Sequence, residues 1–281
     1  MVSARPKPGN NGSFLKPKLE NQVGKRALHN GVAFNRVVFT EEWYANRRQI
    51  EEALSSYRRL LVDRELLAKL EQETNLDGKK KSGLGVHMRA ARVLEQLGKW
   101  VNTTKELGHV SCVKIGDEFH WRCELSIAGL HHDFQKGIVY MKLINGQSLA
   151  TSIVDSGRYD NVEGNTPNTF TYCGQGENPN FGRKPKDQKL VGGSLALKNS
   201  FVSKMPVRVI RKVYNFDDSK TDFNSMAAGS EGNDCGYKFV YDGLYQVTKY
   251  WPERKGDSGT KVYRFLLKKI DEKEPEHDLG E

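Results

Sequence analysis

The sequence lacks a long apolar run, an apolar leader and a paired-cysteine motif, and each of these absences argues against one class of protein. No stretch approaches the roughly 18 apolar residues that a membrane-spanning helix needs, so no membrane span is expected. The N-terminus has no apolar core of the kind found in a secretory signal. The four cysteines lie far apart and form no C-x-x-C pair. We therefore expect reduced thiols in an intracellular protein, without a disulfide framework or a zinc site.

Lysine and arginine outnumber the acidic residues by 44 to 35, which gives a formal net charge of +9. This surplus suits a polyanionic partner, either nucleic acid or an acidic membrane surface. Residues 1–39 are rich in basic side chains and poor in apolar ones. We expect a disordered basic tail over residues 1–39 and a frayed acidic tail over residues 271–281.

Residues 40–108 are predicted to form a helical lead-in. Four apolar residues in its first part, Ile50, Leu54, Tyr57 and Leu61, follow one another at spacings of four, three and four. This spacing places them on one face of a helix, with charged residues on the opposite face. Such a helix either binds a partner or packs on its own domain, and we expect the second arrangement.

From residue 109 onward the pattern changes to short strands. Residues 119–127 alternate between apolar and polar side chains, which predicts a half-buried antiparallel strand. Asp242 and Gly243 are typical of a two-residue turn, so a hairpin is expected around them. Ser194 is predicted to cap a short helix. Many short strands with few helices indicate a curved sheet or a barrel. The other strands are expected over residues 138–143, 148–154, 169–173, 207–213 and 262–267.

Residues 151–176 combine two strand-like ends with a polar loop between them. A tyrosine stands at each mouth of this loop, Tyr159 on the way in and Tyr172 on the way out. Asp160 and Asn161 lie between them and have side chains that can bond the polar edge of a flat ring. Two aromatic faces with such a rim form a slot for a planar heterocycle such as a nucleobase. The alternative is a surface hairpin with two ordinary packed tyrosines.

Seven motifs follow one another in a fixed order along the chain. They are GDEFHWRCELSIAGLHHDFQKGI (116–138), LATSIVDSGRYDN (149–161), TFTYCGQG (169–176), DQKL (187–190), SLALKNS (194–200), PVRVIR (206–211) and YDGLYQVTKYW (241–251). Together they resemble the SRA domain (SET and RING-associated, or YDG, domain) and look closest to those of plant histone-lysine methyltransferases. The resemblance implies an α+β, mainly β fold at residues 109–270: a crescent-like curved β-barrel (SRA/PUA-like) with an N-terminal helical extension.

The resemblance also implies a function, which is to read methylated DNA without chemistry and without a cofactor. In this family a 5-methylcytosine is flipped out of the duplex and stacked between two tyrosines, here Tyr159 and Tyr172. A thumb residue, here Gln135, fills the vacated place in the duplex. The other pocket residues correspond to Ser156, Gly157, Cys173, Asn161 and Asp160, and the contacts to the DNA backbone correspond to Arg158, Arg183, Lys184 and Lys186.

Two positions depart from the family pattern. Asn161 stands where the family has an aspartate that accepts from the cytosine amino group, so an aspartate at this place is expected to tighten binding. Asp160 substitutes for it if the loop shifts. Arg158 replaces a glycine, and it either contacts phosphate or obstructs the pocket.

The expected partners are double-stranded DNA carrying 5-methylcytosine and chromatin proteins such as histones, and the expected location is the nucleus. No SET domain is expected, because the scattered cysteines do not match its zinc-binding segment. The adjacent His131 and His132 are not expected to hold a metal, because neighbouring histidines on a turn seldom converge on one ion. Three alternatives stay open: a chromatin interaction module with a decayed pocket, a nonspecific DNA binder and a modification-dependent nuclease.

Overall fold

The computed structural model describes residues 27–29, 32–34, 41–74, 84–157, 161–163, 168–176, 186–214, 236–255 and 259–270. The predicted acidic tail lies outside these ranges. So does the predicted basic tail, except for two short strands, β1 (Ala27–His29) and β2 (Val32–Phe34), which pair antiparallel. Among the described helices, none is both long and apolar enough to cross a bilayer.

The described part of the lead-in contains three helices, α1 (Glu41–Val62), α2 (Arg64–Glu73) and α3 (Val86–Gln96). Asp63 separates the first two and caps α2, because its side chain accepts a hydrogen bond from the Leu66 amide at 2.8 Å. The apolar face of α1 is buried in one core with α3 and with residues 110–130 of the strand-rich part. The expectation that α1 packs on its own domain is therefore confirmed.

Among the residues that the structure describes, two ion pairs join α1 to the strand-rich part. The Arg47 guanidinium donates two hydrogen bonds to the Asp117 carboxylate, the longer of them at 2.9 Å. Arg58 Nε lies 2.7 Å from Glu124 Oε1, and the Glu124 side chain is fully buried. A buried carboxylate needs such a partner, because an unpaired charge in the interior is costly.

Eight strands form one sheet in the described part of the chain. Its order is β4–β5–β8–β9–β10–β7–β6, and β3 pairs with β9 beside this path. Strands β5 and β8 run parallel, and the remaining pairs are antiparallel. The described strands leave the sheet open, with β4 and β6 at its edges, and the mainly β class is confirmed. The strand bounds are β3 Glu118–Phe119, β4 Ile138–Lys142, β5 Ser148–Asp155, β6 Val162–Glu163, β7 Thr169–Cys173, β8 Val207–Tyr214, β9 Tyr237–Lys255 and β10 Thr260–Lys269.

The predicted strand over residues 119–127 is wrong, because the chain forms helix α4 at Arg122–Ile127. Two polar residues of the alternating pattern, Glu124 and Ser126, are buried by specific partners, whereas His120 is exposed. Glu124 accepts hydrogen bonds from the His120 and Trp121 amides as well as from Arg58. Ser126 Oγ donates to the His131 carbonyl at 2.7 Å. The alternation of polarity therefore does not mark the two faces of a strand.

The predicted hairpin turn at Asp242 and Gly243 is also wrong, because β9 passes through both residues without reversing. Val209 pairs with Gly243 and Ile210 pairs with Tyr241, so Asp242 is the extra residue of a β-bulge. Gly243 has a φ of 103°, which glycine adopts without strain. An Asp-Gly pair is compatible with a tight turn and with a β-bulge. Here the residues on both sides of the pair bond to β8, which favours the bulge.

Helix α5 spans Gly192–Ser203, and Val191 occupies its N-cap position. Ser194 is therefore not the cap that the sequence predicted. Its hydroxyl instead accepts from the Gln175 amide at 2.9 Å and so connects α5 to the segment that follows β7. Ala196 and Leu197 of α5 are buried against β5 and β9.

Candidate functional site

A cleft of about 300 Å³ opens between the loop before β4, the end of β5 and the end of β7. Four of the predicted site residues line it: Gln135, Ser156, Asn161 and Tyr172. Gly157 and Cys173 lie beside the cleft but not on its wall. Lys186 is exposed and lies outside the cleft. The remaining predicted site residues, Tyr159, Asp160, Arg158, Arg183 and Lys184, lie outside the described residues.

Tyr172 forms the aromatic wall of the cleft. Its hydroxyl lies 3.2 Å from the Gly137 carbonyl oxygen and 3.3 Å from that of Val154. Phe170, two residues earlier on β7, packs edge-to-face on the same ring at a centroid distance of 6.4 Å. The side chain is only 3% exposed, so neighbours hold the ring before any ligand arrives. A ring held in this way loses little conformational entropy when a flat ligand stacks on it.

Gly137 leaves the space that the Tyr172 hydroxyl occupies, since a Cβ added at this glycine would lie 2.6 Å from that oxygen. We expect Gly137→Ala to displace the ring, to cost about 1–3 kcal/mol of unfolding free energy and to weaken ligand binding. Thermal unfolding and a ligand titration measure both effects. In a Tyr172→Phe background the alanine should cost much less, because the nearest ring carbon lies 3.9 Å away.

Gly85→Ala is the matched control for this prediction, because a Cβ at Gly85 meets nothing within 4 Å. Equal costs of Gly137→Ala in the tyrosine and phenylalanine backgrounds would contradict the proposed clash.

The loop at residues 131–137 is built around the buried His131. Its Nδ1 lies 2.8 Å from Ser152 Oγ and its Nε2 lies 2.8 Å from the Lys136 carbonyl oxygen. The carbonyl only accepts, so Nε2 holds the proton and Nδ1 accepts from the serine. Asp133 accepts hydrogen bonds from the amides of Gln135 and Lys136, at 2.9 and 2.7 Å. These bonds place the exposed Gln135 at the tip of a well-supported loop.

Burial lowers the pKa of His131 to about 3, and the nearby Arg122 lowers it further in the same direction. The unfolded chain binds this proton near pH 6.5, so stability is lost as the pH falls from about 6.5 towards 3. We expect His131→Gln to flatten the fall of unfolding free energy between pH 6.5 and 5, by up to about 1.4 kcal/mol per pH unit. Urea unfolding at several pH values measures the slope. An unchanged slope would contradict this assignment.

His131 and His132 do not converge on one point, because His132 Nε2 bonds to the Asn102 carbonyl oxygen at 3.0 Å. Within the described ranges, no group of three or more potential ligands could hold a metal ion. Cys112, Cys123 and Cys173 are buried free thiols.

Asn161 connects the two strands that border the cleft. Its Nδ2 donates to Asp155 Oδ1 at 2.8 Å, and its Oδ1 accepts from the Cys173 amide at 2.9 Å. The contribution of Cys173 is therefore its backbone amide, while its side chain is buried beside Gln188. Gly157 has a φ of 68° and donates its amide to Asp155 at 3.3 Å.

Arg122 and Gln175 also line the cleft and were not predicted. The Arg122 Nη2 donates to the Lys136 carbonyl oxygen, while its buried Nε has no partner among the described residues. Burial lowers the pKa of Arg122, which still leaves a cation at neutral pH. The sequence pattern predicts a strand here and places Arg122 on its exposed face. In the structure this segment is the helix α4, and its helical turn directs Arg122 to the cleft.

The bulged Asp242 lies in a network of charges that reaches Asp155 through Arg211. It accepts from Arg211 Nε, from the Tyr245 hydroxyl and from Lys269 Nζ, each at 2.6 Å. Burial alone would raise the pKa of Asp242, but the bonds from Lys269, Tyr245 and Arg211 outweigh it and hold the pKa below its ordinary value. Arg211 also reaches Asp155, with Nη1 3.9 Å from Oδ2. The motif at residues 241–243 thereby supports the end of β5.

A family model, the SAD/SRA domain, matches residues 106–273. The open sheet, the loop at residues 131–137 and the cleft all lie within this range. The chain belongs to the SAD/SRA domain family, as its motifs indicated.

Several relatives are known. The chain is 41% identical over 214 residues to the histone-lysine N-methyltransferase, H3 lysine-9 specific SUVH5 of Arabidopsis thaliana. The match covers 73% of this chain and 25% of the relative. It is 40% identical over 179 residues to a YDG domain-containing protein of the same plant, 63% of this chain and 39% of the relative. It thus spans a quarter to two fifths of these proteins.

A solved structure of KRYPTONITE in complex with mCHG DNA and SAH is similar as well. Its TM-score is 0.60 at 26% sequence identity, and the match covers 80% of this chain and 44% of that chain.

Proposed function

We propose that this protein is a nuclear reader of methylated DNA. It flips a 5-methylcytosine out of the duplex and holds the base between Tyr159 and Tyr172, without performing chemistry on it. The observation that carries this proposal is the cleft itself, in which an aromatic ring, a neutral amide and the tip of a supported loop meet at Tyr172, Asn161 and Gln135. The similarity to KRYPTONITE, which was solved with mCHG DNA, supports the same ligand.

The energies of the separate steps are compatible with this function. Flipping a base costs a few kcal/mol in lost stacking and pairing. Stacking on aromatic side chains returns about 1–3 kcal/mol per base. Gln135 enters the vacated place and bonds the orphaned partner base, which reduces the cost of leaving that base unpaired. The net charge of +9 supplies attraction to the phosphates, and this part of the affinity falls with salt.

Selectivity for the methyl group is expected to be modest. Burying one methyl group contributes about 0.8 kcal/mol, which corresponds to roughly a fourfold difference in affinity. A larger preference requires the methyl group to fit closely against the cleft wall. The sequence context of the methylcytosine is a separate property, because it depends on contacts to neighbouring bases.

Titration of matched duplexes tests the proposal. Each duplex contains one cytosine in a CG, CHG or CHH context, with or without the 5-methyl group, and binding is measured at several salt concentrations. We expect tighter binding of the methylated duplex in at least one context and a preference that persists as salt rises. Equal affinities with a steep salt dependence would mean that the protein is a nonspecific DNA binder.

The chain matches only a quarter of SUVH5, so the name of that methyltransferase supports no enzymatic activity for this chain. Incubation with Mg²⁺ and a methylated plasmid tests the remaining enzymatic alternative. We expect intact plasmid, and cleavage would mean that a modification-dependent nuclease activity is present.

A further inference from the structure

We propose that Asp155 is a positioning residue that fixes the direction of the Asn161 amide, so that a neutral side chain distinguishes cytosine from thymine in the cleft. This inference rests on the proposed function, because it names how the same cleft selects its base. It also explains how the cleft selects its base with Asn161 at a place where the family pattern has an aspartate.

The two partners of Asn161 allow only one orientation of its amide. A carboxylate oxygen only accepts, and Asp155 Oδ1 lies 2.8 Å from Nδ2. A backbone amide only donates, and the Cys173 nitrogen lies 2.9 Å from Oδ1. Turning the amide by 180° would place an oxygen against the carboxylate and an NH₂ group against the Cys173 amide. Both contacts would then be repulsive, so the observed direction is strongly preferred.

As far as the described residues go, the fixed amide has one hydrogen-bond donor and one acceptor left for a ligand. An amide has two N–H groups and two oxygen lone pairs, and the protein uses one of each. Cytosine presents an amino N–H beside the acceptor N3, whereas thymine presents an acceptor, O4, beside the donor N3–H. The two bases therefore need opposite directions of the amide. An amide that turned freely would bind either base, and a fixed amide binds one.

Asp155 is itself held on more than one side. The Arg211 Nη1 lies 3.9 Å from Asp155 Oδ2, and the Gly157 amide donates to Oδ1 at 3.3 Å. Arg211 is held in turn by its 2.6 Å bond to Asp242 and by the Phe170 ring, whose centroid lies 4.4 Å from the guanidinium carbon. The direction of the Asn161 amide thus depends on side chains from β5, β8 and β9. This support explains why the carboxylate does not simply turn towards water.

The first test compares duplexes with 5-methylcytosine or thymine opposite the same guanine. Both bases have a 5-methyl group, so the methyl contact cancels and only the hydrogen-bonding edge differs. We expect the unmodified protein to prefer 5-methylcytosine even though the mismatched thymine is easier to flip. In Asp155→Asn the partner of Asn161 can both donate and accept, and the preference should fall roughly tenfold, the size of one bidentate contact.

Glu118→Gln is the matched control, because it removes one negative charge from an exposed carboxylate that pairs with Lys238 at 2.6 Å. This variant should keep the base preference unchanged. An unchanged preference in Asp155→Asn would overturn the inference. If the unmodified protein does not prefer methylated over unmethylated cytosine, the proposed function fails first, so the two failures are distinguishable.

A charge swap keeps the inference testable if Asp155→Asn folds poorly. Asn161→Asp alone places two carboxylates at hydrogen-bond distance, and we expect at least a tenfold loss of affinity for the methylated duplex. The double variant Asp155→Asn, Asn161→Asp removes the repulsion between the two carboxylates, and it should recover part of the lost affinity but not all of it, because residue 161 then has no N–H group for N3 of cytosine. If Asn161→Asp alone binds as tightly as the unmodified protein, as the sequence pattern suggested, Asp155 has no positioning role.

Discussion

Tyr172→Leu is expected to lose most of the affinity for methylated DNA while the protein stays folded. Tyr172 presents the described aromatic face of the cleft, and its neighbours on β7 and before β4 hold that face in place. Leucine keeps the apolar contact with Phe170 but has no flat ring on which a base can stack. The loss of one stacking contact costs about 1–3 kcal/mol, which is roughly a five- to 150-fold weaker complex.

Tyr172→Phe separates the stacking ring from the hydroxyl. The phenylalanine keeps the aromatic face and loses the contacts of the hydroxyl to the Gly137 and Val154 carbonyl oxygens. We expect its affinity to stay within a few-fold of that of the unmodified protein. Binding is measured with methylated and unmethylated duplexes, and thermal unfolding is measured alongside. A leucine variant that is folded and binds methylated DNA normally would contradict the assignment of Tyr172.

Arg208→Met is expected to produce the largest loss of stability, about 3 kcal/mol or more of unfolding free energy. Arg208 on β8 is fully buried, and its guanidinium bonds three backbone carbonyl oxygens. Nη1 donates to Glu106 at 2.8 Å and to Gly108 at 2.5 Å, and Nε donates to Leu130 at 3.2 Å. The side chain therefore ties the lead-in and the segment after α4 to the sheet.

The reason for this large effect is that the acceptors cannot be removed together with the arginine. A buried ion pair can be replaced by apolar residues at little cost when both partners are exchanged. Here the acceptors are backbone carbonyls, which stay in place and lose the arginine as a donor in the variant. Burial lowers the pKa of Arg208 to about 10, so the group is still charged at neutral pH.

Urea unfolding of Arg208→Met and Arg208→Lys measures this effect. The lysine keeps the charge but has a single nitrogen in place of the planar fork, so an intermediate loss is expected. A methionine variant within 1 kcal/mol of the unmodified protein would show that the three hydrogen bonds contribute little.

Much of the fold follows from local pattern. The spacing of apolar residues predicts α1 because this helix has one face in the core. The short strand-like segments at 148–154 and 169–173 predict β5 and β7, and β5 is buried along six consecutive residues. Helix α4 does not follow from pattern, since Glu124 is buried by Arg58, which is 66 residues away in sequence. The bulge at Asp242 likewise depends on a neighbouring strand. Both wrong predictions, the strand at residues 119–127 and the turn at Asp242, concern segments whose structure depends on contacts with residues distant in sequence.

The candidate site could likewise be predicted only in part from the sequence. Tyr172, Asn161 and Gln135 were found because their motifs follow one another in the order of a known family. Arg122 was missed because its position on the cleft depends on the helical turn of α4. The pairing of Asp155 with Asn161 has no signal in the sequence either, because the two side chains meet across a loop.

Base flipping is the central claim, and the fluorescence of a 2-aminopurine placed beside the methylcytosine tests it most directly. This base analogue is quenched while its neighbour is stacked in the duplex, and it brightens when the neighbour leaves. We expect the signal to rise when the protein binds the methylated duplex, and to rise much less with the unmethylated duplex or with Tyr172→Leu. Tight, methylation-dependent binding without any rise in fluorescence would contradict the account.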